Sequence, residues 1–199
     1  MIAIKSMMVI VVLTVFQNNA ICQKLKVGKK ASYFEAIDTV GDTINLDQYK
    51  GQKIFLAFFM YAGCPICNYR GHELIEKYDS ISSKGYKIIC IYESDNNTLK
   101  DYLNETPPPF PFIGDSKSIL YKKYGVEKSI WKTVASAFKK QPKQAMKKGR
   151  KLFINKYTRD GNLTRLPADF IIDENEICKA LHYGTNIGDH FPLAEILNN

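Results

Sequence analysis

The distribution of apolar and polar positions along the chain predicts strands that alternate with helices. Residues Ile54 to Phe59 form a continuous apolar run of strand length, which is typical of a strand buried on both faces of a parallel sheet. Lys87 to Tyr92 is a second run of this kind. Between the two runs, four apolar residues recur at helical spacing and predict the buried face of a helix. They are Leu74, Ile75, Tyr78 and Ile81.

The rest of the chain continues this alternation. The further predicted elements are a lead-in hairpin over 27–47, short helices over 98–104, 118–124 and 191–197, an extended proline-rich passage over 107–111, and a strand pair over 168–173 and 177–183. This order implies an α/β fold with a central mixed sheet, mainly parallel with an antiparallel edge and flanked by helices. A length of 199 residues suits one domain of this type.

Residues 1–22 are predicted to be a cleavable export signal. Lys5 precedes an apolar run over 7–16, which is shorter than the roughly 20 residues that a membrane-spanning helix needs. Ala20 and Cys22 are small residues at the −3 and −1 positions of a cleavage site after Cys22. In the alternative interpretation Cys22 is the acylated cysteine of a lipoprotein. The residues just before it depart from the usual lipoprotein pattern, so we rank lipidation second.

Residues 23–199 are therefore expected to form one exported domain, periplasmic or extracellular, with no transmembrane anchor. Its positive charge is concentrated in one segment, because residues 128–159 contain eleven Lys or Arg residues and no Asp or Glu. The rest of the domain carries a net negative charge. A localised excess of this kind does not favour nucleic-acid binding.

The basic segment 128–159 is predicted to be a helical insertion on the surface, near the active-site end of the domain. Its helices are expected to break near Pro142 and Gly149. Four apolar residues recur at helical spacing and are expected to dock the segment onto the domain, with its lysines forming a solvated face. They are Trp131, Val134, Ala135 and Phe138.

The chemistry of the chain is predicted to lie in Cys64-Pro65-Ile66-Cys67, between the first buried strand and the following helix. The unpaired N–H groups and positive dipole end of a helix N-terminus stabilise an anion, and a Cys-x-x-Cys pair placed there can have a thiol pKa of roughly 3.5–7.5. Pro65 has no N–H and starts a helix readily. We therefore expect Cys64 to be the more exposed and more acidic thiol, which attacks, and Cys67 to resolve the mixed disulfide.

Two other interpretations of the pair are a structural disulfide and half of a zinc site. A zinc site would need further ligands, but Cys90 and Cys178 lie on separate predicted strands, and His72, His182 and His190 form no matching set. We therefore expect no metal and no cofactor. Cys90 and Cys178 are expected to be buried thiols, and the sequence leaves open whether they pair.

Around the cysteine pair the chain resembles the thioredoxin-like superfamily, in its redoxin or AhpC/TSA-like branch. The resemblance runs from about Val27 to the C-terminus. It rests on the pair itself, on the strand before it and on three further stretches: Gly41 to Gly51, Tyr124-Gly125-Val126 and Leu166 to Asp173. It implies a thioredoxin-like fold and an enzyme that exchanges disulfides with protein thiols or disulfides.

The resemblance also implies a substrate-binding role for Leu166 and Pro167. In this superfamily the proline before the corresponding strand is cis and lies against the active-site disulfide, and Pro167 occupies that place. Leu166 is then expected to offer backbone hydrogen bonds to an extended substrate segment. The alternative is an ordinary proline at the start of a strand.

Two other functions stay open beside disulfide exchange. The first is a peroxiredoxin-type peroxidase with Cys64 as the peroxidatic cysteine, although peroxiredoxins carry a threonine three residues before that cysteine and this chain has Tyr61. The second is a metal-handling protein, but the copper-binding relatives space their cysteines by three residues and not two. Glu35 and Asp38 are candidates for the buried carboxylate that some thioredoxin-like proteins place behind the resolving cysteine.

Overall fold

A computed structural model of the chain describes residues 24–103, 107–152 and 159–197. The predicted export signal over 1–22, including Cys22, lies outside these residues. Within the described ranges, none of the helices is long and apolar enough to cross a membrane.

A small hairpin precedes the main sheet. Its antiparallel strands are β1 (Glu35–Ile37) and β2 (Thr43–Asn45). The turn between them is held by the Asp38 carboxylate, which accepts hydrogen bonds from the N–H groups of residues 40–42 at 2.9–3.0 Å. The predicted hairpin is therefore confirmed, and Asp38 is a turn residue.

A five-stranded mixed sheet forms the centre of the fold. Its strands are β3 (Lys53–Phe58), β4 (Tyr86–Tyr92), β5 (Phe112–Gly114), β6 (Ala168–Ile172) and β7 (Cys178–Tyr183). Across the sheet the order is β5-β4-β3-β6-β7, in which β3, β4 and β5 run parallel while β6 and β7 pair antiparallel. The predicted mixed sheet with a parallel part and an antiparallel edge is confirmed. Strand β5 was not predicted: it has only three residues, pairs within the sheet with β4 alone and follows directly after the predicted extended passage over 107–111.

Helices cover both faces of this sheet. They are α1 (Pro65–Glu76), α2 (Tyr78–Ser82), α3 (Asn96–Tyr102), α4 (Ile119–Lys123), α5 (Ile130–Ser136), α6 (Lys140–Leu152) and α7 (Leu193–Leu197), with a 3-10 helix over Leu46–Tyr49. The sequence of β3 lacks alternating polar residues because both faces of the strand are buried. Phe55 and Ala57 pack in the core that contains α1, whereas Leu56 and Phe58 pack in the core on the opposite face.

The predicted helix after the cysteine pair is present but breaks at Lys77 into α1 and α2. Leu74 and Ile81 are fully buried, as the apolar spacing predicted, while Ile75 is 37% exposed. The predicted stripe is therefore divided between two helices.

The basic segment is helical over most of its described part, 128–152, as predicted, and α6 lies against the start of α1. Two details of the prediction are wrong. Helix α6 runs through Pro142 and Gly149 without a break. Pro142 is the third residue of the helix, where its missing N–H would have no intrahelical partner. The predicted docking stripe is also wrong, because Trp131 is 84% and Phe138 83% exposed.

Candidate active site

Cys64 lies at the junction where the chain leaves β3 and enters α1. It is the N-cap residue of α1, and Pro65 is the first residue of that helix. The Cys67 N–H donates to Cys64 Sγ at 3.5 Å, and the Asn68 N–H donates to the Cys64 carbonyl oxygen at 3.0 Å. The Cys64 sulfur therefore faces the unpaired N–H groups and the positive dipole end of the helix.

Cys67 lies in the first turn of α1 and faces the loop that precedes Cys64. Its Sγ accepts a hydrogen bond from the Met60 N–H at 3.3 Å. The loop is tied to the end of β4, since the Ala62 N–H donates to Ser94 Oγ at 2.8 Å and the Glu93 N–H donates to the Met60 carbonyl oxygen at 2.7 Å. These contacts fix the backbone around both sulfurs.

The two thiols differ in acidity. Burial alone raises the pKa of Cys64, but hydrogen bonds from the Cys67 thiol and from the Cys67 and Ile66 N–H groups outweigh it and lower that pKa below its ordinary value. Burial raises the pKa of Cys67, and the Cys64 sulfur, which accepts the Cys67 thiol proton, raises it further. The environment thus favours a thiolate at Cys64 and a protonated thiol at Cys67.

Exposure does not distinguish the two cysteines. Cys64 is 2% and Cys67 1% exposed, so the expectation that Cys64 is the more exposed thiol is wrong. Both cysteines are covered by other segments of the same chain. At Gly149 of α6, a Cβ atom would lie 1.7 Å from the Pro65 carbonyl oxygen, and at Gly161 a Cβ would lie 2.5 Å from Tyr61 Cβ. The residues on both sides of Cys64 are therefore in close contact with segments from the basic region and beyond it.

Leu166 and Pro167 lie at the same edge of the sheet as the cysteine loop, because Ala168 pairs with Phe58 at the end of β3. The described residues contain no cis peptide bond, so the predicted cis bond between Leu166 and Pro167 is wrong. The Leu166 N–H donates to the Glu127 carbonyl oxygen at 3.1 Å, and this pairing leads the chain in an extended course into β6.

The substrate-binding role of Leu166 and Pro167 stays a prediction. The Leu166 side chain is 1% exposed and its N–H already has a protein acceptor in Glu127. A substrate strand could use that N–H only after displacing this contact. Pro167 accepts a hydrogen bond from the Gly184 N–H at 2.9 Å and packs against that glycine, which holds β7 beside it.

A buried ion pair next to the cysteine loop was not predicted. Arg165 donates two hydrogen bonds to Glu93, from Nε to Oε2 at 2.9 Å and from Nη2 to Oε1 at 2.8 Å, and both side chains are at most 6% exposed. Burial raises the pKa of Glu93, but the hydrogen bonds from Arg165 and Ser118 outweigh it and lower the pKa overall. The pair holds the segment before β6 against the end of β4, where Glu93 also supports the loop at Met60.

A second unpredicted pair lies under α1. Asp169 on β6 is fully buried, and its Oδ2 lies 3.0 Å from His190 Nδ1 and accepts the Phe191 N–H at 2.6 Å. The His190 ring packs on Phe59 with 5.0 Å between ring centroids. An aspartate inside the apolar stretch Ala-Asp-Phe-Ile-Ile was a signal that a polar partner must exist. Its partner, His190, lies 21 residues away in sequence, and the sequence alone could not show which of the three histidines would pair with Asp169.

The other predicted candidates lie away from the pair. Cys90 and Cys178 are free thiols on opposite faces of the sheet, with two strands between β4 and β7, whereas a disulfide needs Cα atoms within about 7 Å. They therefore do not pair. Glu35 is exposed on the hairpin, and the Asp38 carboxylate, although buried, binds the N–H groups of its own turn, so neither is a carboxylate behind Cys67. Among the described residues, no group of three or more His, Cys, Asp or Glu could hold a metal ion.

The order of strands, the position of the Cys-x-x-Cys pair and the helix that follows agree with one family. The sequence model of the AhpC/TSA family matches residues 27–180. The chain belongs to this family. The match covers the hairpin, the cysteine pair and the sheet as far as β7, so the AhpC/TSA assignment includes every element that positions the two sulfurs.

Individual relatives of this AhpC/TSA member carry two kinds of names. Thiol-disulfide oxidoreductase ResA of Bacillus thuringiensis subsp. konkukian is 29% identical over 105 residues, which are 52% of this chain and 60% of that protein. The chloroplastic peroxiredoxin Q of Triticum aestivum is 24% identical over 114 residues, 57% of this chain and 52% of that protein. The chain thus matches little more than half the length of these curated relatives.

The fold has counterparts among solved structures. A Chlorobium tepidum protein described as a thiol:disulfide interchange protein DsbE superimposes with a TM-score of 0.56 at 18% identity, over 87% of this chain and 92% of that protein. The predicted thioredoxin-like fold is therefore confirmed. The identity is too low for this likeness to carry more than the fold.

Proposed function

We propose that the protein is an exported thiol–disulfide oxidoreductase in which Cys64 and Cys67 exchange disulfides with protein partners. The observation that carries the proposal is the asymmetry of the two sulfurs. Cys64 caps α1 and accepts hydrogen bonds that stabilise its thiolate, while Cys67 lies beside it as a protonated donor. The similarity to a ResA oxidoreductase supports the same chemistry.

The exchange has two steps. The Cys64 thiolate attacks one sulfur of a substrate disulfide, which forms a mixed disulfide and releases the other substrate sulfur as a thiolate. Cys67 then loses its proton and attacks Cys64 Sγ, which releases the second substrate thiolate and leaves a Cys64–Cys67 disulfide. Two electrons pass from the dithiol to the substrate. The same steps in reverse oxidise a substrate dithiol.

The burial of Cys64 favours a second candidate, a peroxidase of the peroxiredoxin type. Cys64 is only 2% exposed, and a small peroxide molecule can reach such a buried residue more easily than a protein disulfide can. Burial raises the pKa of Tyr61, so its hydroxyl stays protonated and is a possible donor to a peroxide oxygen. The buried Arg165 cannot serve as the second donor in this arrangement, because its guanidinium binds Glu93 and the Val126 carbonyl oxygen.

A paired assay tests the two candidates. The predicted mature protein, residues 23–199, is supplied with one reductant and measured for reduction of a protein disulfide and for consumption of hydrogen peroxide. We expect faster disulfide exchange, its loss in Cys64→Ser, and mixed disulfides that accumulate in Cys67→Ser. The matched control is Cys90→Ser, which removes a buried thiol outside the pair. Rapid Cys64-dependent peroxide consumption with negligible exchange would replace the first candidate by the second.

The cellular location is part of the proposal. The apolar run over 7–16 and the small residues Ala20 and Cys22 support export with cleavage after residue 22. N-terminal sequencing of protein recovered from a secreting host should give Gln23 as the first residue. A mature chain that begins with a lipid-modified Cys22 would instead make the protein a lipoprotein.

A further inference from the structure

Helix α5 and the turn after it present an apolar face to solvent. Ile130, Trp131, Val134 and Phe138 are 65%, 84%, 54% and 83% exposed. Ile130, Trp131 and Val134 are spaced to lie on one side of α5, and Phe138 follows in the turn after the helix, so we treat the four exposed apolar groups as one patch. Single exposed apolar residues are common on protein surfaces, but several large ones together mark a site of interaction.

A row of lysines on α6 borders this patch. Lys140, Lys143 and Lys147 recur three and four residues apart and are exposed. Together with Phe138 and Gln144 they line one shallow depression. None of these three lysines forms an ion pair with another described residue, in contrast to Lys132, which binds Glu127. We call the four apolar residues and these three lysines the basic aromatic surface.

The charge of this region is of one sign. Residues 128–152 contain no Asp or Glu, and although Lys128 and Lys132 pair with Glu93 and Glu127 from outside this range, no described ion pair neutralises the three lysines of the basic aromatic surface, so the field there attracts anions. The opposite side of α6 is occupied, because Gly149 packs against Pro65 of α1. The exposed side is therefore available while the buried side anchors it to the domain.

We propose that the basic aromatic surface binds the anionic face of a lipid bilayer. Trp and Phe side chains favour the interface between headgroups and acyl chains, and lysines beside them bind anionic headgroups. The side chains of Trp131 and Phe138 are 84% and 83% exposed, and the depression that Phe138 borders is shallow, so most of each ring extends into solvent. A deformable lipid interface can surround such protruding rings, which a partner protein could do only with a matching pocket.

The chain contains its own reporter for this proposal, because Trp131 is its single tryptophan. The predicted mature protein, residues 23–199, is mixed with vesicles of phosphatidylcholine and with vesicles that also contain phosphatidylglycerol. We expect the protein to sediment with the anionic vesicles only, with a blue shift of Trp131 emission as the ring leaves water. Both signals should weaken with added salt, because salt screens the lysines.

Matched variants distinguish binding through this surface from binding through the net charge of the protein. Lysines near an anionic membrane contribute about 1 kcal/mol each, so Lys143→Gln combined with Lys147→Gln should lower the vesicle partition coefficient roughly 30-fold. The control is Lys84→Gln combined with Lys87→Gln, which removes the same charge from exposed positions at the start of β4 and should leave partitioning nearly unchanged. Phe138→Ser should reduce binding without a change in charge. Circular dichroism confirms that each variant is folded.

Three results would overturn the proposal. The first is the absence of a blue shift and of sedimentation with anionic vesicles. The second is an equal loss of binding in the two lysine pairs, which would assign binding to net charge alone. The third is a protein that does not bind the vesicles but binds polyglutamate with a blue shift of Trp131 emission. That result would make an acidic protein the partner of this surface.

Discussion

Gly149 of α6 packs against Pro65, the residue that follows Cys64, and replacing it by alanine tests how Cys64 is covered. The added Cβ would lie 1.7 Å from the Pro65 carbonyl oxygen and 2.5 Å from its carbonyl carbon. Both contacts are with backbone atoms, so no side-chain rotation can relieve them. Because real contacts of this kind are essentially never below 3.0 Å, α6 must move from α1 by about 1.3 Å or detach there.

The size of the effect follows from two opposing terms. Overpacking of a tight contact costs about 1–3 kcal/mol. Alanine is better than glycine in a helix by about 0.5–1 kcal/mol, which offsets part of this. We therefore expect the contact between α6 and α1 to weaken by about 1–2 kcal/mol, which corresponds to roughly a 5–30-fold larger fraction of molecules in which Cys64 is open to reagents.

The assay is alkylation of the reduced protein under native conditions, with each cysteine followed by peptide mass spectrometry. Cys64 should react roughly 5–30 times faster in Gly149→Ala than in the wild type, in proportion to the larger open fraction. Arg150→Ala is the control, since Arg150 is an exposed neighbour on α6. Cys90, which is fully buried in β4, reports global unfolding. An unchanged rate at Cys64, or an equal rise at Cys90, would refute α6 as the cover.

The further predictions concern three groups around the pair, Cys67, Glu93 and Ser94. Cys67→Ala should raise the pKa of Cys64, because the hydrogen bond from the Cys67 thiol is lost. Cys67→Ser should raise this pKa less, because the serine hydroxyl can still donate. Equal midpoints in the pH dependence of Cys64 alkylation for the wild type and both variants would contradict this. Glu93→Gln should lower the free energy of unfolding in urea by about 3–5 kcal/mol, because it leaves Arg165 buried without a counter-charge; a loss below 1 kcal/mol would contradict it. The wild type should also lose stability in acid, because the pKa of Glu93 is depressed: the contribution of its ionised carboxylate is complete above the ordinary value of 4.5 and disappears as the pH falls through the folded-state value, so Glu93→Gln should show a flatter acid limb. Ser94→Ala should cost about 1–3 kcal/mol in the same urea measurement, since the buried Ala62 N–H loses its acceptor, and should disturb the loop before Cys64.

The sequence by itself determined the layered fold and the position of the reactive pair. Strands β3 and β4 are continuous apolar runs because both of their faces are buried, and this pattern is visible without any knowledge of their neighbours. The capping of α1 by Cys64 was also predictable, because a Cys-Pro step between a strand and an apolar helix pattern defines a helix start from local residues.

The tertiary structure alone decided which polar groups meet and which surfaces are covered. Glu93 and Arg165 are 72 residues apart in sequence, and their pairing depends on β4 and the segment before β6 ending at the same edge of the sheet. Helical spacing placed Trp131 and Phe138 on one face, but it could not tell whether that face meets the domain or the solvent. Burial and the pKa shifts it causes depend on distant segments such as α6, whose contact with Pro65 rests on one glycine, so local sequence patterns cannot supply them.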